Sequence, residues 1–283
     1  IEIIVVENNS TTPEIKDYYS QLLGLSGNDS YEERCKLHTV CGHDGGILHS
    51  GDGRISIVTY QGDFNYSAVN DLGASYASGE YILLLNNDTE VITANWMEEM
   101  LMYAQREDVG AVGAKLYYAD KTIQHAGVVI GLGAHRTAGH THYRIPVQNL
   151  GYMGRLCYTQ NVTAVTGACL LVKKSLYEQV GGLDESFVIS LNDVDFCLKL
   201  RKLGLLNVWT PFAELYHYES ASRGSDIEDA AKAQRYNEEA EHFRTKWKEV
   251  IDRGDPYYNP NFSLNYSDYS LKTPDEIELN NEK

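Results

Sequence analysis

An apolar run that ends abruptly in three small polar residues constrains the fold of this chain more than any other feature. Residues Tyr81 to Leu85 are apolar, and Asn86, Asn87 and Asp88 follow at once. A continuous apolar run of this length is typical of a strand that helices cover on both faces. Ligands of such sheets bind outside the carboxyl ends of the strands, so Asp88 is a candidate ligand for Mg²⁺ or Mn²⁺. The alternative is that the three polar residues only turn the chain.

The charge of the chain narrows the class of its partners. Its 283 residues include 40 acidic and 24 basic side chains, which gives a net charge of −16. Binding to nucleic acid and adsorption to anionic membranes both need basic patches, so this balance argues against both. It leaves an anionic sugar nucleotide open as a ligand, because a metal ion and helix N-termini can supply local positive potential.

Hydropathy and cysteine content indicate the compartment. No apolar run approaches the roughly 20 residues of a membrane span. The five cysteines are an odd number and lie mostly in apolar or helical contexts, which favours reduced thiols in the cytosol. We therefore expect a cytoplasmic protein, with peripheral attachment at the inner face of a membrane as an alternative. The chain starts without Met, so we expect that residues of the natural protein precede Ile1.

Strands and helices alternate along most of the chain, which predicts an α/β fold with a mostly parallel sheet flanked by helices and a C-terminal helical extension. Predicted strands lie at residues 1–6, 54–60, 81–85, 109–117, 126–130, within 162–172, at 208–210 and at 213–217. Predicted helices lie at about residues 12–23, 65–77, 93–107, 191–203 and 226–250, with one more ending at 181–182. The glycine-rich stretch 131–154 is predicted to be a mobile loop that touches the acceptor or the diphosphate, with plain solvent exposure as the alternative. The final dozen residues are predicted to be disordered.

Two carboxylates, Asp193 and Asp195, lie in the first turn of the helix predicted at residues 191–203. A structural role alone explains them, because Asn192 suits the N-cap and acids favour the positive end of the helix dipole. His217 ends the strand predicted at residues 213–217. A lone histidine at such a place is more often structural than a metal ligand.

Three stretches together resemble the inverting glycosyltransferases of family 2, which have the GT-A fold, a Rossmann-like sheet between helices. Residues 86–88 resemble the degenerate DxD motif of that family, and residues 192–195 resemble its acid-Asp-x-acid motif. Residues 180–185 resemble a hallmark of the family ahead of the second motif. The likeness covers residues 1 to about 224.

The resemblance assigns roles to individual residues. It implies that Asp193 is the general base and that Asp88 and His217 hold the metal. It implies donor-binding roles for Glu7, Asn65, Asn70, Asn87, Asp88, Gly167 and Ala168. It implies that Asp195, Asn192 and Arg223 support the site or bind the acceptor. Capping or helix-surface roles for Asn65 and Asn70 remain the competing interpretation.

The resemblance also predicts the reaction. A sugar passes from a nucleoside-diphosphate sugar, UDP- or dTDP-linked, to a hydroxyl of a glycan, a glycoprotein or a lipid-linked saccharide, with Mn²⁺ or Mg²⁺ as cofactor. The product would be a bacterial surface polysaccharide or a glycoprotein glycan, and a homo-oligomer is a further expectation. Residues 1–224 would form the catalytic domain, whose first strand is missing from this sequence, and residues 225–283 a C-terminal helix and an extended acidic tail.

Two other functions fit parts of the pattern. A sugar nucleotidyltransferase has a similar sheet, but the glycine-rich basic N-terminal loop of that class is not seen in this sequence. A non-catalytic domain that binds glycans or acts as a scaffold could use the 21 tyrosines to stack on sugars. The presence of Asp88, Asp193 and His217 together favours an enzyme.

Overall fold

The chain divides into two compact units. The computed structural model describes residues 1–27, 29–40, 46–218 and 230–281. Unit 1 comprises Ile1–Ile82 and Leu183–Ile189, and unit 2 comprises Leu83–Gly182 and Ser190–Lys283. The domain boundary predicted between residues 224 and 225 falls in the sequence range of unit 2, and it stays a prediction.

Strands and helices alternate as the sequence predicts over most of the described residues. The strands are β1 (Ile3–Glu7), β2 (Ile47–His49), β3 (Ile55–Thr59), β4 (Tyr81–Leu85), β5 (Thr89–Val91), β6 (Val109–Tyr117), β7 (Ile123–His125), β8 (Val128–Ile130), β9 (Ala138–His140), β10 (Gln160–Val162), β11 (Cys169–Lys173) and β12 (Leu206–His217). The helices are α1 (Pro13–Leu22), α2 (Tyr31–Val40), α3 (Tyr66–Tyr76), α4 (Trp96–Ala104), α5 (Lys174–Gln179), α6 (Asn192–Lys202), α7 (Ala230–Lys246), α8 (Lys248–Arg253) and α9 (Pro274–Asn281), and a 3₁₀ helix spans Tyr152–Cys157.

Unit 1 is built on a three-stranded sheet in the order β1-β3-β2, with β1 parallel to β3. Helix α1 begins as its sequence predicts, because Thr12 precedes it, Pro13 opens it and Glu14 lies in its first turn. Its buried face joins a hydrophobic cluster made of Tyr19, Leu23, Tyr31, Leu48 and Ile57.

Unit 2 is organised around β6, which is buried along its whole length. The sheet has the order β10-β12-β6-β11-β4. In addition, β5 pairs with β12, and β7 pairs with β6. Strand β12 runs parallel to β6, whereas β11 is antiparallel to it. The sheet is therefore mixed rather than mostly parallel as predicted, because short antiparallel strands join both of its long members. Pro211 lies in an irregular stretch of β12, where a missing ladder hydrogen bond is tolerated.

The helix stripes of unit 2 follow the sequence pattern. Trp96, Met100 and Ala104 are buried on one face of α4, as their spacing predicts. On α7, Ala240 and Phe243 are fully buried, and Trp247 just beyond the helix is 2% exposed. Among the residues that the structure covers, no helix is both long and apolar enough to cross a membrane.

Two loop predictions are wrong. Residues 131–154 are not structureless, because β9 pairs with β8 and the segment continues into the 3₁₀ helix. The C-terminal segment contributes Tyr258 and Tyr269 to a buried cluster with Val129 and Leu132, and α9 occupies part of the tail that was expected to be disordered. Single aromatic residues in an otherwise polar segment provide this packing. The average composition of the segment is polar, so it does not reveal their contribution.

Candidate active site

Strand pairing in unit 2 brings Asp88 and His217 together. The chain turns after β4 into β5, which runs antiparallel to the end of β12 so that Thr89 lies opposite His217. The backbone N–H of Tyr218 donates to the carbonyl of Asp88 at 2.8 Å. As a result, Asp88 Oδ1 lies 3.0 Å from His217 Nε2. We call these two residues the metal pair.

Gln124 on β7 fixes the orientation of the His217 ring. Its Oε1 lies 2.6 Å from His217 Nδ1, and its amide N–H donates to the carbonyl of His217 at 3.4 Å. Because an amide oxygen only accepts, His217 must carry a proton at Nδ1. Asn86 Nδ2 lies 3.1 Å from Nε2, which agrees with a lone pair on that atom. Gln124 is 5% exposed, so this arrangement is part of the packed interior.

The metal pair fits a divalent cation. The His217 imidazole nitrogen Nε2 and the Asp88 carboxylate are both of the ligand types that coordinate Mn²⁺ or Mg²⁺. Adjacent ligands at about 2.1 Å from an octahedral ion are about 3.0 Å apart, which is the separation seen here. Within the described residues no group of three or more His, Cys, Asp and Glu side chains could hold a metal. A pair agrees with the habit of Mg²⁺ of taking one or two protein ligands and filling its shell with phosphates and water.

Asp193 lies in the first turn of α6 and is held by backbone N–H groups. Its Oδ2 accepts from Gly167 N–H at 2.9 Å and its Oδ1 accepts from Val194 N–H at 2.8 Å. The side chain is half-buried. Leu191 precedes the helix in the left-handed region at φ 65°, which turns the chain into it. Two backbone N–H groups thus hold the Asp193 carboxyl in place.

One turn of backbone connects this carboxylate with the metal pair. Gly167 donates to Asp193, and the next residue, Ala168, accepts from Asn86 N–H at 3.0 Å through its carbonyl. Gly167 and Ala168 therefore act in the structure as a backbone bridge between the start of α6 and the end of β4. Their predicted contacts with the donor stay predictions.

The other polar residues of this turn are structural in their contacts. Asn192 is the first residue of α6 rather than its predicted cap, is 3% exposed, and accepts from Asp193 N–H at 2.7 Å. Asp195 is 0% exposed. It accepts from Trp247 Nε1–H at 2.8 Å and pairs with Lys246 at 2.6 Å. These contacts favour the supporting role over acceptor binding for Asp195.

Three predicted donor residues belong to unit 1. Glu7 is 8% exposed and accepts from Ser10 N–H at 2.6 Å and from Tyr19 O–H at 2.6 Å. Asn65 caps α3 by accepting from Ala68 N–H, and Asn70 donates to the carbonyl one turn back. These contacts agree with the capping interpretation, and their binding roles stay predictions. In unit 2, Asn87 is exposed at the end of β4. Arg223 lies outside the described residues.

The sequence pattern did not point to Gln124 or Asn86 as partners of His217. Gln124 sits in β7, whose residues are all buried. A polar side chain in a buried strand needs a partner, and that is the signal that could have found it. The identity of the partner depends on tertiary contacts, because Gln124 and His217 are 93 positions apart.

Comparison with known proteins identifies a matching family model and several similar proteins. Residues 46–181 match the family model described as Glycosyl transferase family 2. A protein named y4gI from Sinorhizobium fredii (strain NBRC 101917 / NGR234) is 42% identical over 274 residues, which cover 96% of this chain and 27% of that protein. The O-antigen biosynthesis protein RfbC of Myxococcus xanthus is 36% identical over 272 residues, 96% of this chain and 18% of that protein. An N-acetylglucosaminyl-diphospho-decaprenol L-rhamnosyltransferase of Mycobacterium tuberculosis is 44% identical over 62 residues, 22% of this chain and 20% of that protein. The chain thus spans less than a third of the length of each of these relatives.

Two solved structures are similar in fold. GalNAc-T7 with UDP, GalNAc and Mn²⁺ matches with a TM-score of 0.59 at 12% identity, over 89% of this chain and 43% of that one. The mannosyltransferase PcManGT from Pyrobaculum calidifontis, in complex with GDP-Man and Mn²⁺, matches with a TM-score of 0.50 at 11% identity, over 89% of this chain and 68% of that one. At these identities the likeness shows the fold alone. The fold is GT-A, as the sequence predicts.

Proposed function

This chain carries a glycosyl transferase family 2 domain, and from that premise we propose that it moves a hexosyl or deoxyhexosyl group from a UDP- or dTDP-linked donor to a hydroxyl of a glycan, with inversion. The observation that carries the proposal is the backbone bridge at Gly167 and Ala168. It links a half-buried carboxylate, Asp193, with two groups suited to a divalent cation, Asp88 and His217.

Asp193 is the proposed general base. As the acceptor oxygen attacks the anomeric carbon, the bond from that carbon to the diphosphate oxygen breaks, and the hydroxyl proton passes to Asp193. The N–H groups of Gly167 and Val194 hold the carboxylate in place for this task. Attack from the face opposite the leaving group gives inversion at the anomeric carbon.

Asp88 and His217 would hold Mn²⁺ or Mg²⁺. Such an ion supplies positive charge to the departing diphosphate. Gln124 keeps the His217 ring turned so that Nε2 faces Asp88. Both similar solved structures contain Mn²⁺ together with a nucleotide or a nucleotide sugar, which supports the choice of ligands.

The relatives support a glycan acceptor. RfbC is named for O-antigen biosynthesis, and the Mycobacterium relative is named as an L-rhamnosyltransferase. We therefore propose a surface polysaccharide or related glycan as acceptor and include a deoxyhexose among the donors. The match to a transferase family also favours transfer over nucleotide activation of a sugar phosphate, the rival suggested by the sheet alone.

Calorimetric titration tests the donor site. UDP, dTDP and GDP are each titrated into the protein with Mn²⁺ and again with EDTA. We expect one nucleotide to bind only when Mn²⁺ is present. Asp88→Asn should abolish that binding, because it removes the negatively charged ligand of the metal pair. Glu98→Gln removes an exposed carboxylate on α4 and serves as the matched control. Metal-dependent binding that survives in Asp88→Asn would refute the metal pair, and binding of no nucleotide would refute the donor site.

A further inference from the structure

One positively charged side chain lines a cavity beside the metal pair. The cavity has a volume of ≈ 250 Å³ and is lined by Tyr118, Ala119, Asp120, Arg144, His217 and Tyr218. His217 belongs to the metal pair, and the backbone N–H of Tyr218 donates to the carbonyl of the other member, Asp88. A ligand that shares a cation with the metal pair would therefore lie beside this cavity. Among the described residues that line it, Arg144 alone has a guanidinium or ammonium group.

The backbone of Arg144 is held against the strand that orients His217. Its N–H donates to the carbonyl of Ile123 at 2.9 Å, and the N–H of Ile123 donates to the carbonyl of Ile145 at 2.8 Å. Ile123 begins β7, and the next residue, Gln124, holds the His217 ring. Arg144 itself has φ 62°, in the left-handed region that a residue with a Cβ rarely adopts. Such conformations persist only where surrounding contacts hold them, and they cluster at active sites and ligand clamps.

An aromatic ring orients the guanidinium group of Arg144. The Cζ atom lies 3.8 Å from the centroid of the Tyr118 ring. Nη1 donates to Asp120 Oδ2 at 3.2 Å, and a hydrogen bond with the Tyr143 side chain raises the pKa of Arg144. A guanidinium group has more N–H groups than these two contacts use. The planar fork of Arg144 therefore keeps donors for a further acceptor.

Another arginine–aspartate pair of unit 2 differs in how the fork is used. Arg106 donates to both oxygens of Asp108, from Nε at 2.9 Å and from Nη2 at 2.7 Å. The side chains of this pair are 49% and 53% exposed, and those of Arg144 and Asp120 are 51% and 56% exposed. Asp120 meets Arg144 with Oδ2 alone, because its Oδ1 accepts from the N–H and the O–H of Thr122. Exposure does not explain the difference, so Arg144 is the arginine of the two that is suited to pair with a ligand.

We infer that Arg144 is a further substrate-binding residue, which donates from its fork to the diphosphate that the metal pair binds. The oxygens of a diphosphate can share a cation with Asp88 and His217 and also accept from a guanidinium group. The inference rests on the proposed function and deepens it, since this diphosphate is the leaving group of the transfer. Asp120 acts in the opposite direction, because its carboxylate occupies one N–H of Arg144 and repels phosphate oxygens.

Calorimetry with matched variants tests the site without depending on turnover. The first probe is the nucleoside diphosphate that binds the natural protein best, with Mn²⁺. Arg144→Met should raise its Kd about tenfold or more, since charge-assisted hydrogen bonds are lost. Arg144→Lys keeps the charge but loses the planar fork, so its Kd should lie between those two values. Arg106→Met removes the same charge at a similar exposure and should leave the Kd unchanged.

Asp120→Asn separates ligand binding from a structural role. Arg144→Met and Asp120→Asn both break the ion pair, and the amide oxygen of Asn can still accept from Thr122. A pair that only fixes the chain would give weaker binding in both variants. A binding role gives opposite signs, so Asp120→Asn should lower the Kd about two- to fivefold, because a negative charge beside the phosphates is removed. Asp108→Asn makes the same change of charge at the other pair and should leave the Kd unchanged.

The source of the diphosphate needs a second probe, because a lipid-linked acceptor could also carry one. Geranyl diphosphate has the diphosphate without a nucleoside. If Arg144→Met weakens binding of geranyl diphosphate but not of the nucleotide, Arg144 serves the acceptor and the inference fails. Equal nucleotide binding by Arg144→Met and the natural protein overturns it as well, and so does weaker binding by both Arg144→Met and Asp120→Asn.

Failure of the proposed function gives a different result. Binding of no nucleoside diphosphate by the natural protein would refute both the donor site and the inference. Absence of transfer from every donor, together with the expected effect of Arg144→Met on nucleotide binding, would refute the proposed function and leave the contact between Arg144 and the diphosphate supported.

Discussion

The metal pair and the first turn of α6 hold their charged side chains in different ways. At the metal pair, the Asp88 carboxylate faces a histidine nitrogen that has a lone pair, so two acceptors meet at 3.0 Å. In α6, Asp193 is held by neutral N–H groups, and Asp195 by a lysine and an indole. The first arrangement is suited to a cation that arrives with a ligand. In the second, the protein itself supplies the partners, which suits groups that must stay in place through every cycle.

The same contrast separates the two acids of α6, which are two residues apart. Asp193 is half-buried and supported by backbone donors alone, so its charge remains available to a substrate. Asp195 is 0% exposed and its charge is matched by Lys246. Their chemical identity is the same, and their partners determine that one can act as a base while the other anchors the helix.

The largest expected effect follows from removing the proposed base, Asp193. Asp193→Asn keeps the shape of the side chain but leaves it unable to take a proton, so the rate of transfer should fall by about 10²- to 10⁴-fold. Metal-dependent binding of the nucleotide should stay within about twofold of the natural protein. Turnover is measured as release of nucleotide in the presence of acceptor, and affinity by calorimetry. Turnover similar to that of the natural protein would assign the base to another group.

Asp195 should matter for stability instead. Asp195→Asn removes the buried carboxylate that Trp247 and Lys246 contact, so the free energy of unfolding should fall by about 1–3 kcal/mol. Urea unfolding followed by circular dichroism measures this. The double variant Asp195→Asn with Lys246→Met should recover part of the loss, because it also removes the ammonium group that has lost its partner.

The contrast between the two acids fails if Asp195→Asn unfolds like the natural protein but raises the KM for the acceptor. That pattern would mean that Asp195 contacts the substrate. Asp193→Asn provides the converse comparison, since it should change turnover while its unfolding midpoint stays close to that of the natural protein.

The sequence predicted the parts of the site that depend on local pattern. The apolar run of β4 and the polar turn after it place Asp88, and the helix signals around Asn192 place both acids of α6. Periodicity and end signals lie within one element, so they can be recognised without knowledge of the tertiary structure. The position of His217 at the end of β12 was found in the same way.

The partners of these groups could not be predicted because they come from distant parts of the chain. Trp247 reaches Asp195 from beyond α7, and His140 meets His125 through the β8–β9 pairing. The stretch 131–154 was predicted to be a loop because glycines and polar residues dominate it. Its fold depends on contacts with Tyr258 and Tyr269, which lie more than a hundred residues later. The mixed direction of the sheet also depends on pairing that no single strand encodes.

The smallest expected effect tests whether Gln124 orients the His217 ring for metal binding. Gln124→Leu removes the acceptor that holds the N–H of His217 at Nδ1, and Leu has a similar volume in this buried position. The ring is then free to turn or to move its proton to Nε2. Loss of such a supporting hydrogen bond typically weakens metal affinity about 10- to 100-fold. Titration of the nucleotide at several Mn²⁺ concentrations measures the shift.

The matched variant Gln124→Glu keeps an acceptor oxygen beside Nδ1 and should bind Mn²⁺ at least as well as the natural protein, since an added carboxylate increases the basicity of the ring. If Gln124→Leu and Gln124→Glu weaken binding equally, the amide acts by packing and not through His217. If only Gln124→Leu weakens Mn²⁺ binding, then the protein orients the His217 ring before the metal binds. The metal pair and Asp195 then differ only in the cation that they meet, which is a metal ion at the metal pair and Lys246 at Asp195.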